Sequence, residues 1–159
     1  MKLEFNLNSL IINGNILLSP FQSKNKLISE NLPWEEWIRN DNEVVSYRII
    51  LVDKKSKSKV FLIVTFISPI NDNSLLCSWY LSPENLMNGE QKKPEGKVTK
   101  SLRRWFFDKT KVEIPIGGDW GHIDAVYDHW NTVGVIACNY RYSFKSESEW
   151  KKYRKINEF

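Results

Sequence analysis

The chain has no apolar run approaching the ~18 residues needed to cross a bilayer as a helix. Its opening, MKLEFNLNSL, alternates from the first residues and lacks the apolar stretch and small-residue cleavage site of a signal peptide. A cytoplasmic protein with no membrane association is therefore expected. Cysteine and histidine are both scarce, at two each in 159 residues. Cys77 and Cys138 sit in strand-like segments and read as buried small hydrophobes, not as a disulfide framework. There is no HExxH, no Cys/His pairing at zinc-finger spacing and no GxSxG. Gly117-Gly118 lacks the downstream Gly and Lys of a phosphate loop and reads as a turn. These absences remove the familiar hydrolase, metal and nucleotide signatures, and no cofactor or resident metal is expected.

Aromatic side chains are plentiful instead, at 13% of residues with seven tryptophans. Each buried indole N–H needs an acceptor, so some of the seven are expected to line a surface. The apolar (42%) and charged (26%) fractions are those of an ordinary globular protein. The length suits one domain, residues 1–159.

Periodicity organises the chain into hairpins. Leu3, Phe5 and Leu7 alternate with polar residues, and Asn13-Gly14 between LII and ILL is a strong hairpin signal. Ser19-Pro20 suits the start of a short helix over Phe21–Ser29, ended by Leu32-Pro33. The following WEEWIRNDN places Trp34, Trp37 and Ile38 on one face if helical. Glu43–Val52 and Lys59–Ser68 read as strands joined by the loop DKKSKSK. VFLIVTFI is apolar on both faces, the pattern of a central strand covered on both sides. Ser74–Leu81 is a further strand, and Ser82-Pro83 reads as a helix cap with Gly89 as a stop. Glu90–Lys97 reads as a loop. Val98, Leu102, Trp105 and Phe106 share one helical face and predict an amphipathic helix ending near Lys109. Ser146–Glu149 fits a capping box before a C-terminal helix carrying Trp150 and Tyr153. The fold class that follows is α+β: a largely antiparallel sheet built from hairpins, its centre including Val60–Ile67, with two to four helices packed on it.

The densest polar chemistry lies between Asp119 and Tyr142. GDWGHIDAVYD and VGVIACNYRY form two strands about a short polar break. Alternation puts Trp120, His122, Asp124 and Val126 on one face of the first strand, and Ala137, Asn139 and Arg141 on one face of the second. Pairing His122 with Asn139 sets Trp120 opposite Arg141. Trp120, His122, Asp124, Asn139 and Arg141 then form one cluster on rigid strands, suited to binding a protein partner, with Arg141 stacked on Trp120. Trp120 is the expected hot spot.

Two other chemistries compete. Between Gln91 and Lys111 stand eight basic residues against Glu95 and Asp108. Lys97, Lys100, Arg103, Arg104, Lys109 and Lys111 on a helix beside aromatics are the pattern of nucleic-acid binding, or of a solvated helix face. That segment is more positive than the whole chain (+4), so the remainder is net acidic. A small metal-dependent hydrolase centred on His122 is the third reading. A hairpin, however, holds His122 and His129 ~20 Å apart at ~3.3 Å per residue, too far to share an ion.

The segments MKLEFNLNSLIINGNILL, SPFQSKNKLISENLP and WGHIDAVYD…VGVIACNYRY together resemble the small single-domain immunity proteins that bacteria pair with secreted or contact-delivered toxins. The resemblance covers most of the chain. It implies inhibition by occluding a toxin's active site, with no catalysis by the inhibitor. Inhibitors of nuclease toxins are typically acidic, so a nuclease partner would have to meet the acidic remainder of this basic chain. The expectation drawn from sequence is a non-enzymatic, toxin-binding protein, with nucleic-acid binding as the main rival.

Overall fold

The computed structural model describes residues 1–29, 31–40, 43–68, 74–87, 95–129 and 132–142. Alternation builds its first layer. Leu3–Asn6 (β1), Ser9–Ile12 (β2) and Ile16–Leu18 (β3) form a three-stranded antiparallel sheet in that order. Leu3, Phe5, Leu10, Ile12, Ile16 and Leu18 are all buried, the one-sided burial that a period of two produces. Asn13 and Gly14 take φ of 52° and 72° at the β2–β3 connection, as that pair does in tight hairpins. Leu7 does not continue β1. It lies in the turn at φ 57° and is 81% exposed.

The second layer is a seven-stranded sheet made of Glu35–Asn40 (β4), Glu43–Val52 (β5), Lys59–Ile67 (β6), Leu75–Pro83 (β7), Ile116–Gly118 (β8), Gly121–Asp128 (β9) and Val133–Tyr140 (β10). Its order is β4-β5-β6-β7-β10-β9-β8, and every neighbouring pair is antiparallel. Three helices complete the described elements: Lys24–Leu27 (α1), Glu84–Met87 (α2) and Glu95–Thr110 (α3). The architecture is α+β with antiparallel sheets, as the hairpin pattern implies. Strand β6 is interior, but only one of its faces is sealed. Val60, Leu62, Val64 and Phe66 are buried, whereas Phe61, Ile63 and Thr65 are half-buried.

One core joins both sheets and α3. Helix α3 lays Val98, Leu102 and Phe106 into it, with Trp105 half-buried. Phe106 meets Phe5 of β1 edge-on, with ring centroids 5.6 Å apart. Helix and sheet approach most closely at Gly134 of β10. A Cβ there would run into Val98 Cγ1 and lie 2.8 Å from Leu102 Cδ1.

Buried hydroxyls fasten the small sheet to the large one. The Tyr140 hydroxyl accepts from Trp79 Nε1 at 3.1 Å and can donate to the carbonyls of Asn8 (2.8 Å) or Leu18 (3.2 Å). The Tyr142 hydroxyl accepts from Phe21 N–H at 2.8 Å and donates to Leu76 O at 2.7 Å. Burial drives both phenols well above the ordinary tyrosine range, so they act as neutral hydrogen-bonding groups. Burial likewise pushes the Cys138 thiol up to about 12 and raises that of Cys77. Both cysteines are free; Cys138 is buried as expected and Cys77 only half-buried.

Several local expectations are corrected. The described part of the WEEWIRNDN segment is not helical: Glu35–Asn40 is the edge strand β4, with its register broken between Glu36 and Arg39. A helix of that length is marginal alone, and pairing with β5 supplies what the local pattern cannot. Only Lys24–Leu27 of the Phe21–Ser29 segment is helical, capped by the Ser23 hydroxyl; Phe21, at φ 65°, is excluded from it. Ser82 and Pro83 end β7, and α2 starts only at Glu84, so Ser82 lies one residue short of the cap position; its hydroxyl donates to Gly134 O at 3.1 Å. Residues 95–97 belong to the first turn of α3, not to a loop. Gly117-Gly118 is strand β8, and the turn falls one step later, at Asp119-Trp120. The Gly89 stop, the rest of the Glu90–Lys97 loop and the C-terminal helix from Ser146 lie outside the described residues.

Asp53, just past β5, gathers three separate parts of the chain. Its carboxylate accepts from Lys55 N–H at 3.0 Å and pairs with the Met1 ammonium at 3.3 Å and Lys109 Nζ at 3.4 Å. The Lys55 N–H, then the Met1 ammonium and Lys109, hold the carboxyl at about 2 against the opposing effect of burial. A folded-state value below the unfolded one stabilises above the unfolded value, and that stability is lost as pH falls through the folded value. Wild-type urea midpoints should therefore fall between about pH 4 and about pH 2. Asp53→Asn should lower the midpoint at neutral pH and flatten this acid slope; an unchanged slope would remove Asp53 from the account. Tyr140→Phe should strand the fully buried Trp79 N–H and cost ~1–3 kcal/mol. Urea denaturation reads that loss directly, and a change below ~0.5 kcal/mol would mean that the hydroxyl is not a fastening.

Candidate functional site

The Asp119–Tyr142 hairpin has the register its sequence implies. His122 pairs with Asn139, Asp124 with Ala137 and Gly121 with Tyr140. One step further, Arg141 N–H donates to Trp120 O at 2.9 Å. Gly121, at φ 134°, lets the strands close there, because a Cβ would overlap the Asn139 carbonyl. His122 and Arg141 are exposed and Asn139 is half-buried. Four of the five expected cluster residues, His122, Asp124, Asn139 and Arg141, therefore lie on the outward face.

Two of the five, Trp120 and Asp124, are committed to the fold. Trp120 lies in the β8–β9 turn, where strand alternation no longer dictates direction. Its ring packs against the core, 6.1 Å from the Tyr140 ring. The indole also covers Gly118, whose added Cβ would sit 3.0 Å from Nε1. The expected Arg141–Trp120 stack is not formed among the described residues. Asp124 faces outward but does not serve His122. Its two carboxylate oxygens accept from Arg103 Nε and Nη2 at 3.0 and 3.1 Å. Strand β8 pairs only with Gly121–Ile123, so Asp124 lies just past the end of that pairing. From there Arg103 of α3 meets it.

The hairpin's outward residues belong to a wider surface. Register places Arg48, Ile63, Tyr80, Ala137 and Asp124 in one row across five strands. The next row is Ser46, Thr65, Ser78, Asn139 and His122, with a hydroxyl pair between Ser46 and Thr65 at 2.8 Å. On the other side Ile50 pairs with Phe61, and Val126 with Val135. Ile50 (37%), Tyr80 (40%) and Val126 (40%) are exposed large hydrophobics on this face. At its β4 end the Arg48 guanidinium lies 4.2 Å from the Trp37 ring centroid and bonds Glu35 at 2.6 Å. Sequence reasoning missed these residues as functional, although VFLIVTFI carried the signal: its second apolar face is one that the fold leaves half open.

Three of the six basic residues described between Lys97 and Lys111 have partners within the fold. Arg103 is held by Asp124 and Lys109 reaches Asp53, while Lys111 donates to Asp108 O at 3.2 Å and lies 6.0 Å from the Phe107 ring. Lys97, Lys100 and Arg104 remain exposed on α3. No three His, Cys, Asp or Glu side chains converge on a metal site among the described residues. No described helix is long and apolar enough to cross a membrane.

An antiparallel α+β protein presenting an open sheet face, partly apolar and bordered by internally paired charges, belongs to the class of surface-binding proteins. Its sequence matches the family model described as RhsI1 immunity protein across residues 1–159, and the chain belongs to that family. A chain of the solved structure "Rhs1-CT in complex with cognate immunity protein RhsI1" is 43% identical to it, covering 94% of this chain and 93% of its own, with a TM-score of 0.76. No curated protein matches.

Trp120→Ala should cost ~1–3 kcal/mol of stability, since the half-buried indole packs against Tyr140. His122→Ala, at an exposed strand position, should stay within ~0.5 kcal/mol of the parent. Equal effects in denaturant titrations would show that the two residues do not divide between core and surface.

Proposed function

We propose that the chain neutralises a toxin domain by forming a stoichiometric complex with it, without catalysing any reaction. The observation that carries this reading is the family match over residues 1–159, supported by 43% identity to a chain of a toxin–immunity complex. The geometry agrees with it. Strand-borne side chains are held in place before a partner arrives, which limits the conformational entropy lost on binding.

Within the hairpin, His122, Asn139 and Arg141 contribute contacts to the toxin. Asp124 enters the interface already neutralised by Arg103, and Trp120 acts from beneath by holding the β8–β9 turn against Tyr140. The nucleic-acid reading through Lys97–Lys111 is weaker, because Arg103, Lys109 and Lys111 have intramolecular partners.

Calorimetric titration with its cognate toxin domain should give a 1:1 complex, and co-expression should abolish the toxin's growth inhibition. His122→Ala combined with Arg141→Ala should weaken the complex more than ~10-fold, about 1.4 kcal/mol, with an unchanged melting profile. Micromolar binding of nucleic acid by the free chain, falling steeply with salt and lost with Lys97, Lys100 and Arg104, would instead support the rival.

A further inference from the structure

The outer face of the seven-stranded sheet has more apolar surface than a strand's solvent side requires. Trp37, Ile50, Tyr80 and Val126 are exposed on it, with Phe61 and Ile63 half-buried between them. They come from five different strands: Ile50–Phe61 and Ile63–Tyr80 are register neighbours, Trp37 sits at the irregularity of β4, and Val126 lies beyond the buried Val135 and Ala137 of β10. Scattered single hydrophobics are ordinary on a surface, whereas a contiguous patch marks an interaction site.

Charge sharpens what such a site accepts. At one border Arg48 is bound to Glu35 at 2.6 Å; at the other Asp124 is held by Arg103 at 3.0 Å. Arg39 is likewise bound to Glu36 at 2.7 Å. Where it covers these three pairs, a partner need not supply a counter-charge. Burying an already matched pair avoids the large penalty of leaving one charge unpaired. A charged partner surface would find no free opposite charge at the centre of the face. The extent is also adequate. Six strands at ~4.8 Å spacing and nine residues at ~3.3 Å rise give a face of roughly 700 Å². A standard-size complex buries ~800 Å² on each partner.

We propose that this face, centred on Tyr80 and Ile63, is the core of the interface, and that it seats an uncharged, apolar element of the toxin domain. The inference rests on the toxin-binding reading. It moves the centre of the contact from the β9–β10 hairpin to the middle of the sheet, leaving His122, Asn139 and Arg141 at the rim. Tyr80 is the anchor: a rigid aromatic body with a polar tip, of the kind enriched at interface hot spots.

The test titrates the cognate toxin domain into four versions of the full chain: wild type, Tyr80→Ala, Ile50→Glu with Val126→Glu, and His122→Ala with Arg141→Ala. Thermal melts establish that each is folded; the glutamates occupy exposed positions and leave the core untouched. Tyr80→Ala should raise Kd at least 30-fold, the double glutamate should abolish binding, and the rim variant should have the smallest effect. Nitration of Tyr80 by tetranitromethane should proceed in the free chain and be suppressed in the complex. Wild-type binding retained within 3-fold by folded Tyr80→Ala and by the double glutamate would overturn the face while leaving toxin binding intact. An unreactive Tyr80 in the free chain would show the face already covered by the chain itself, and a Tyr80-dependent dimer would make it a self-interface. Either result overturns the proposal. No binding by the wild type would remove the toxin-binding reading and this inference with it.

Discussion

A single buried hydroxyl settles how the two sheets sit on one another. Tyr140 arrives on the last described strand of the large sheet, yet its oxygen lies among Trp79 of β7 and the carbonyls of Asn8 and Leu18 from the small sheet. Hydrophobic burial draws the two layers together without direction; apolar faces tolerate sliding. A buried donor and buried carbonyls do not, since an unmade hydrogen bond at any of them costs about as much as a large side chain's packing. Tyr142 repeats the device two residues on, through Phe21 and Leu76. With both tyrosines in place the small sheet has one position, and the remaining apolar contacts, such as Phe5 against Phe106, follow from it.

The charges divide in a comparable way between holding the fold and meeting a partner. Asp53 ties the first residue, the β5–β6 loop and the end of α3. Arg103 ties α3 to β9 through Asp124. These assignments turn a segment that looks like a phosphate-binding helix into a strut. They also leave the outer sheet face with matched pairs at its borders and apolar side chains at its centre.

Much of this was legible in the amino-acid order wherever the pattern was local and repeated. The alternation in Glu43–Val52, Lys59–Ile67 and the Asp119–Tyr142 hairpin located strands and gave the His122–Asn139 register, and the i, i+4, i+7, i+8 spacing of Val98, Leu102, Trp105 and Phe106 located α3. Errors arose where a distant partner outweighed local preference. Glu35–Asn40 became a strand because β5 offered its edge, and β7 runs on through Ser82 and Pro83, so that the helix starts only at Glu84. The resemblance to immunity proteins was legible too, in the opening and closing hairpins. The candidate site was legible only in part. Alternation gave the direction of His122, Asn139 and Asp124, but it could not reveal that Trp120 sits in a turn, nor that Arg103 is Asp124's partner. The open apolar face needed the strand order, β7 beside β10, which no local rule supplies.

That strand order has a consequence for the chain as it is made. Strand β10 lies between β7 and β9, and the Tyr140 hydroxyl reaches back 132 residues to Asn8. A ribosome releases the small sheet and strands β4 to β7 well before the strand that joins them to β9 has been synthesised. Until then the inner edge of β7 has no neighbour, and the small sheet has nothing to fix it. Contacts this far apart in sequence form late, because the intervening loop must close first. The two sheets therefore take their fixed relation only once the chain has been made as far as Tyr140, although the hairpins before it can already pair among themselves.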